Sequence, residues 1–296
     1  MTQKQFQIGH NFFNSKPVDV AFYIVATPIG NLGDITIRAL EILSSVDVIA
    51  CEDTRTSKKL LDRYGIKTPL IAYHEHNAEH ATKILVQKLD DGQSVALISD
   101  AGTPLISDPG FRIVNAVSQA GHRSVPIPGA SSLLASLMAS GLPTDQFMFA
   151  GFLPSKEKAR KDRLAEFKSQ NMTLVFFESP HRIKAALGDA VEVFGSDTQA
   201  SICRELTKTH EEFARASLAD LYHQFSSRTI KGEIVFVIYN KVAERSFDDR
   251  HLAEILDQLP KDMPTNQAAA LIAKLTLRPK KQIYQLLLEM KKQNEG

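Results

Sequence analysis

The 296-residue chain has only two cysteines, Cys51 and Cys203, far apart and each inside an apolar run. They offer neither paired sulfurs nor metal-ligand spacing, so buried, reduced thiols are expected. The nine histidines include no H-E-x-x-H, and His74-Glu75-His76 lacks the same-face spacing of a helical metal pair, so no metal is expected. Net charge is only +1, so a nucleic acid would have to be met by local patches rather than by a basic whole. No apolar run approaches membrane-spanning length, and the first eighteen residues are polar, without the apolar core or small-residue cleavage site of a secretion signal. A cytoplasmic protein with no membrane partner is the expectation. Also missing are G-x-G-x-x-G and G-x-x-x-x-G-K-[ST], which leaves dinucleotide and triphosphate cradles without a motif.

What is present is an ordinary globular composition, 43% hydrophobic and 23% charged, in a chain long enough for two compact domains. Its central stretch runs from Val95 to Gly110. Val95 to Ile98 reads as a buried strand of the parallel-sheet kind. A loop with Gly102, Pro104, Pro109, Gly110, Asp100 and Asp108 follows, then a helix from about Pro109 to Ala120, with the proline at a first-turn position. In an open α/β sheet, ligands bind at the carboxyl ends of strands, where this loop lies. Its small residues would admit a ligand to the main chain, its prolines stiffen that chain, and Asp100 offers a fixed acceptor. A tight strand-to-helix turn that needs glycine and proline for geometry alone is the other reading, and both stand.

From Val20 the pattern is strand, loop, helix, repeated. Strands are expected over 21–26, 46–51, 69–73, 95–98 and 124–127. Between them lie a helix from about Ile35 capped by Asp34, one ending at Tyr64 with Gly65 as its cap, and one over 78–89. A parallel, doubly wound, five-stranded sheet follows, with a first domain at 20–141. Ser131 and Ser132 open a helix to Ser140, as caps or as ligand contacts. After a break at 141–145, a second α/β domain over 146–241 shows strands at 147–152, 173–177, 199–203 and 234–239. Its helices span 155–169, a stretch ending near 194, and 218–225. Two of its strand-to-strand passages are short, which predicts a mixed sheet.

Residues 248–294 form a small helical unit. Leu252, Ile255, Leu256 and Leu259 fit one helical face, Ala269, Leu271, Ile272 and Leu275 a second, and Ile283, Leu286, Leu287 and Met290 a third. A tight turn at Arg278-Pro279 before the last helix gives a helix-turn-helix-like arrangement. Between Thr265 and Asn294 six Lys or Arg face one acid, Glu289, which suits phosphate contact or a solvated helix face.

Several motifs lie in register along this frame: Tyr23-Ile-Val-Ala-Thr-Pro-Ile-Gly-Asn-Leu-Gly-Asp34, Glu52-Asp-Thr-Arg55, His74-Glu-His-Asn77, Ser99-Asp-Ala-Gly-Thr-Pro104 with Ser107-Asp-Pro-Gly110, and Pro126-Ile-Pro-Gly129. Gly151-Phe-Leu-Pro154, Glu178-Ser-Pro-His-Arg182, Arg204-Glu-Leu-Thr-Lys208 and Lys231-Gly-Glu233 continue the series. With them the chain resembles the tetrapyrrole-methylase-like, class III S-adenosylmethionine-dependent methyltransferases. Within that superfamily it is similar to the group that methylates a cytidine 2'-hydroxyl of 16S rRNA in the small ribosomal subunit. Tetrapyrrole-modifying relatives usually carry a Gly-Asp-Pro type sequence where this chain has Asp100-Ala-Gly-Thr-Pro104, and that departure favours the RNA-modifying branch.

The resemblance implies a cleft between the two α/β domains that binds S-adenosylmethionine at the carboxyl edge of the first sheet. The cofactor residues it implies are Pro28, Gly30, Asp100, Ala101, Gly102, Thr103, Pro104, Gly129, Ser131 and Ser132. This donor has no phosphate, in keeping with the missing phosphate cradle. The reaction implied is an in-line displacement with a good leaving group, in which positioning does much of the work. A ribose hydroxyl is a weak acid, so proton removal or cation stabilisation should help. Glu178, His181, Arg182 and Lys231 are the leading catalytic candidates, with Arg204, Glu205, Glu233 and His74 beside them; each can instead serve a structural ion pair, as can Asp53 with Arg55. Lys158, Lys161, Arg204, Lys280 and Lys281 are candidate RNA contacts. A homodimer is implied by resemblance. The competing functions are a tetrapyrrole methyltransferase and a non-catalytic RNA-binding assembly factor, the latter distinguished by failing to bind the donor.

Overall fold

The computed structural model describes residues 4–107, 110–241, 259–260, 263–276 and 279–294. The chain divides into two compact units, 1–241 and 242–296. The larger opens with a hairpin of β1 (Gln5–Ile8) and β2 (Asn11–Asn14). The polar reading of these first residues missed it, because Phe6 and Phe13 carry the packing alone: their rings stack at 5.4 Å, and Phe6 is buried. Lys4 Nζ donates to the Ser45 and Val46 carbonyls at 2.5 and 3.0 Å, at the negative end of the next helix.

The first sheet contains β3 (Phe22–Val25), β4 (Val48–Cys51), β5 (Leu70–Ala72), β6 (Val95–Ile98) and β7 (Ser124–Ile127), in the order β5-β4-β6-β3-β7 and all parallel. The helices α1 (Ile37–Ser45), α2 (Thr54–Arg63), α3 (Ala78–Asp90) and α4 (Phe111–Gln119) connect them. Alternate strand residues face opposite layers: Ile49, Cys51, Ala96 and Ile98 pack towards α1 and α2, Val48, Ala50, Val95 and Leu97 towards α3 and α4. Cover on both faces explains why β4 and β6 are buried at every residue and read as continuous apolar runs.

Two expectations need correction. Asp34 does not cap α1; it ends a 3-10 turn over Leu32–Asp34, and the cap is Thr36, whose Oγ1 accepts from the Ala39 N–H at 3.1 Å. The helix expected over 155–169 is shorter, Glu157–Ala165. Asp108 and Pro109, assigned to the central loop and the start of α4, lie outside the described residues.

After α5 (Ser132–Ser140) the second sheet contains β8 (Phe147–Phe152), β9 (Met172–Glu178), β10 (Gln199–Arg204), β11 (Glu212–Ser217) and β12 (Ile234–Asn240). Its order is β11-β10-β12-β9-β8; β8 and β9 are parallel and the other pairs antiparallel, which makes it the mixed sheet expected. The unforeseen strand, β11, is an edge whose Glu212 and Arg215 dilute its apolar alternation. The helices α6 (Glu157–Ala165), α7 (Ile183–Phe194) and α8 (Leu218–Ser226) cover one face, and α5 packs on the other through Leu133 and Leu137.

In the smaller unit α9 (Thr265–Thr276) packs through Ala268, Ala269 and Ile272 on Ile283 and Leu287 of α10 (Lys280–Asn294). Leu271, expected on the buried face, is instead exposed: three residues per 300° place it off the Ala268–Ile272 stripe. The helix expected around Leu252, Ile255 and Leu256 lies outside the described residues, as does Arg278.

Arg160 and Asp189, on α6 and α7, form a buried ion pair at 2.6 Å beneath the second sheet, and Arg160 Nη1 also donates to the Ser155 carbonyl at 3.0 Å. Removing Arg160 leaves the buried Asp189 carboxylate with only the more distant Lys161 Nζ, at 3.7 Å. Arg160→Leu is expected to lower the unfolding free energy by about 3 to 5 kcal/mol. In denaturant titration, a loss under 1 kcal/mol would contradict this account of the pair.

Candidate active site

The order of the first sheet places a switch of winding direction between β3 and β6, since the connection from β3 runs one way along the sheet and that from β6 the other. At such a point the following loops diverge and leave a crevice at the carboxyl ends. Here the loops are tied at their base: the Thr27 N–H donates to the Gly102 carbonyl at 2.8 Å and the Gly102 N–H to the Thr27 carbonyl at 2.9 Å. Thr103 Oγ1 adds a bond to the Ala130 carbonyl at 3.1 Å, drawing in the loop after β7.

Above this base lies a cavity of about 470 Å3. The first sheet lines it with Ile29, the segment Ala101 to Thr103, Ile106, Ser107 and the α5 start at Ser131 and Ser132. The second sheet supplies Phe152, Phe177, Glu178, Cys203, Leu206 and the segment Gly232 to Val235. One rim is therefore main chain, hydroxyls and a helix N-terminus, and the other an apolar slot with Glu233 at its edge and the Glu178 carboxylate buried behind its wall. Ser131 caps α5 only loosely, its Oγ 3.5 Å from the Leu134 nitrogen. Burial pushes the Cys203 thiol up, and it behaves as part of the apolar wall.

Among the residues singled out from sequence, Ala101, Gly102, Thr103, Ser131, Ser132, Glu178 and Glu233 meet in this cavity. Pro28, Gly30, Asp100, Pro104 and Gly129 stand just outside the lining. Gly30 has a packing role: a Cβ there would lie 2.4 Å from Lys208 Cγ and 3.1 Å from the Leu206 carbonyl. Asp100 Oδ1 accepts from the Asp53 N–H at 3.1 Å, so it braces the neighbouring loop. Asp53 caps α2 and pairs with Arg55 at 3.0 Å, the structural alternative for those two. His74 follows β5 at the sheet's outer edge, away from the winding switch.

His181 and Lys231 are exposed and border the lining, and the Lys231 carbonyl accepts from Arg204 Nη1. Arg182 binds Glu178 at 2.6 Å, the Ser179 hydroxyl at 3.2 Å and the Leu153 carbonyl at 3.3 Å, which makes it a clamp. Glu178 is buried, and its Oε1 also accepts from the Ser179 N–H at 2.7 Å. Its Oε2, equally buried, has no hydrogen-bond partner among the described residues. A buried carboxylate oxygen without a partner is costly, and such groups call for a functional explanation. Among the basic candidates, Lys161 is held by Glu157 and Glu192, both at 2.8 Å, and Arg204 pairs with Glu212 at 2.8 Å. Lys158, Lys280 and Lys281 are exposed.

Sequence reasoning missed Phe152, Phe177, Leu206 and the start of β12 as lining residues, because their apolar character gives no signal beyond core packing. It also missed the strain. Leu105, Ser107, Glu205 and Thr207 are the non-glycine residues with positive φ among the described residues, and all lie in the two loops that flank the cavity. The 205–208 loop is latched in this form. Lys208 Nζ bridges Glu205 at 2.8 Å and Glu233 at 3.1 Å, Glu205 Oε1 accepts the Glu233 N–H at 2.9 Å, and Thr207 Oγ1 accepts the Asn31 N–H at 3.1 Å. Among the described residues no group of three His, Cys, Asp or Glu is placed to hold a metal ion, and no helix is long and apolar enough to cross a membrane.

Comparison with known proteins matches residues 21–222 to a family described as tetrapyrrole (corrin/porphyrin) methylases, and residues 247–291 to one described as the RsmI C-terminal HTH domain. A protein of Mesorhizobium japonicum named ribosomal RNA small subunit methyltransferase I is 50% identical over 285 residues, covering 96% of this chain and 97% of its own. One of the same name from Vibrio cholerae is 46% identical, covering 93% and 96%. Among solved structures, a diphthine synthase superposes with a TM-score of 0.59 at 16% identity over 74% of this chain and 89% of its own. A cobalt precorrin-4 methyltransferase superposes with a TM-score of 0.57 at 17% identity over 74% and 94%. At those identities the two structures show a common fold.

The latch sets a pH dependence. The hydrogen bond from Lys208, followed by that from the Glu233 N–H, holds the Glu205 carboxyl below its usual value. Burial opposes the charge on Lys208, but its bonds to Glu205 and Glu233 outweigh that and raise it. A lowered carboxyl contributes stability that is whole above the unfolded value, near 4.3, and is lost as pH falls through the lower folded value. The stability difference between the wild-type chain and Lys208→Met should be constant from neutral pH down to that range and shrink below it. A difference unchanged at the acid end would show that the carboxylate plays no part.

Proposed function

The chain belongs to the tetrapyrrole (corrin/porphyrin) methylases and, within them, to the ribosomal RNA small subunit methyltransferase I group, and from that membership we propose that it methylates 16S rRNA in the small ribosomal subunit. The finer reading is transfer from S-adenosylmethionine to the 2'-hydroxyl of a cytidine in the decoding region. The observation that carries it is a cavity with two unlike rims, a main-chain and hydroxyl rim at the winding switch facing an apolar slot, with the unpaired Glu178 oxygen buried behind that slot. That donor set suits a ligand with an amino-acid head and a nucleoside and without phosphate.

In this reading the 20–141 domain binds the donor, 146–241 completes the cleft and 248–294 contacts RNA. Ala101, Gly102, Thr103, Ser131 and Ser132 meet the polar head. Pro28, Gly30, Asp100, Pro104 and Gly129 hold the rim in shape, and Ile29, Leu206 and Val235 enclose the apolar part. When bound, S-adenosylmethionine supplies a methyl group on a sulfonium that leaves as a neutral thioether, so the protein's largest contribution is alignment. Glu178 Oε2, buried behind the slot, takes or holds the proton of the attacking hydroxyl once substrate binding uncovers it. Arg182 fixes that carboxylate, while His181 and Lys231 act at the mouth. Lys158, Lys280 and Lys281 contact phosphates, whereas Lys161 and Arg204 are committed to ion pairs. A cytoplasmic homodimer completes the proposal.

The test is incubation of the full chain with small ribosomal subunits and labelled donor, followed by mapping of the methylated nucleotide. Label on one ribose is expected, with little turnover of a short unstructured oligonucleotide; label on no RNA, or equal turnover of both, overturns the reading. Glu178→Gln should lower kcat by about a hundredfold or more. Its donor affinity, measured by calorimetry, should stay close to that of the wild-type chain.

A further inference from the structure

β8 is an edge strand with an irregularity at its cleft end. Phe147, Met148 and Phe149 pair in step with Thr173, Leu174 and Val175, but the next pair is Phe152 with Phe177, so β8 holds one residue more than β9 over that interval. In a regular strand Phe152 would share the face of Met148 and Ala150, which pack against the helix-covered core. The extra residue moves it to the face of Phe149 and Phe177. Gly151, at φ +68, takes the left-handed conformation the bulge requires, and nothing lies within 4 Å of where its Cβ would be, so conformation rather than crowding calls for glycine there.

The bulge thus removes a phenyl ring from core packing and sets it in the cleft. Phe152 is 56% exposed and lines the cavity. It is also oriented: its ring stands 5.7 Å from that of Phe177 at 67°, and Phe177 is braced by Phe149 at 4.8 Å and 62°. An aromatic ring held edge-on by a second and third ring presents a fixed, open face. Bulges beside active sites commonly re-aim one side chain in this way.

We propose that Phe152 is the stacking platform for the base of the acceptor nucleotide, an inference that rests on the RNA-methylating reading. To bring a ribose hydroxyl to the floor of a cleft, its nucleotide must leave the base stack, and an aromatic face at the mouth replaces the lost stacking. The position selects the acceptor over the donor's adenine: a ligand seated in the cavity would cover Leu206 and Val235 first, whereas the open face of Phe152 meets what arrives from solvent. The ring acts on the acceptor's placement and takes no part in proton transfer.

The test compares Phe152→Ala, Phe152→Leu and Phe152→Trp in the full chain, reading kcat/KM for small-subunit methylation and, separately, the Kd of S-adenosylmethionine. The Ala and Leu variants are expected to lose about tenfold to a hundredfold in kcat/KM, with Kd unchanged and melting temperature preserved. Phe152→Trp, the only tryptophan in a chain that has none, should keep most activity, since stacking needs a ring and packing needs only bulk. A Leu variant as active as the Trp variant overturns the platform. A matching loss of donor affinity in the Ala variant also overturns it by assigning the ring to adenine. Should the wild-type chain transfer no methyl to RNA, the underlying reading fails and the platform with it, a result distinct from either of the others.

Discussion

Two main-chain hydrogen bonds between Thr27 and Gly102 hold together loops that the winding of the first sheet drives apart. Strands β3 and β6 are neighbours, yet their connections leave in opposite directions, so the crevice above them follows from topology alone. Without the bridge that crevice would open into solvent. With it, the base is closed, and Ile29, Gly102 and Thr103 become one wall of a defined cavity. The bridge uses backbone groups only, which leaves the side chains of both loops free for other contacts.

The second sheet closes the cavity from the other side, and the contact between the sheets is unusually specific for a loop. Glu205 and Thr207 hold left-handed conformations, a cost of order 1 kcal/mol or more apiece. Lys208 offsets it by joining Glu205 to Glu233, and Thr207 by accepting the Asn31 N–H. The absence of a side chain at Gly30 lets the Lys208 stem lie against the first sheet's loop. Strain, charge and close approach thus converge on one segment. Leu206, carried at its centre, is pressed into the cavity wall.

The regular elements of this chain were legible because each writes a period into the sequence. Val95 to Ile98 is buried on both faces and reads as an unbroken apolar run, and α5 matches its expected span from Ser132 to Ser140. The gaps have physical causes. The Phe6–Phe13 stack joins residues too few to show a period. β11 is an edge strand whose polar residues look like loop. Leu271 belongs to an apolar helix, but the sequence alone does not say which of its faces the partner takes. At the site, glycines, hydroxyls and acids announced themselves by type, while Phe152 and Phe177 were indistinguishable from core until their face was known.

The sequence by itself determined the repeating strand-loop-helix order, and with it the parallel first sheet, the mixed second sheet and the carboxyl-edge loop as the place to look, because each element's period is local and the length of the connections between strands restricts how the strands can pair. Tertiary structure alone decided which groups in those motifs are spent and which stay open. Arg182 is a clamp and Glu178 keeps a bare oxygen only because Leu153 and Ser179 occupy the guanidinium. Phe152 faces the cleft only because one added residue in β8 turns it over relative to β9. Such choices rest on register and on contacts between segments distant in sequence, and no local pattern of residue types encodes them.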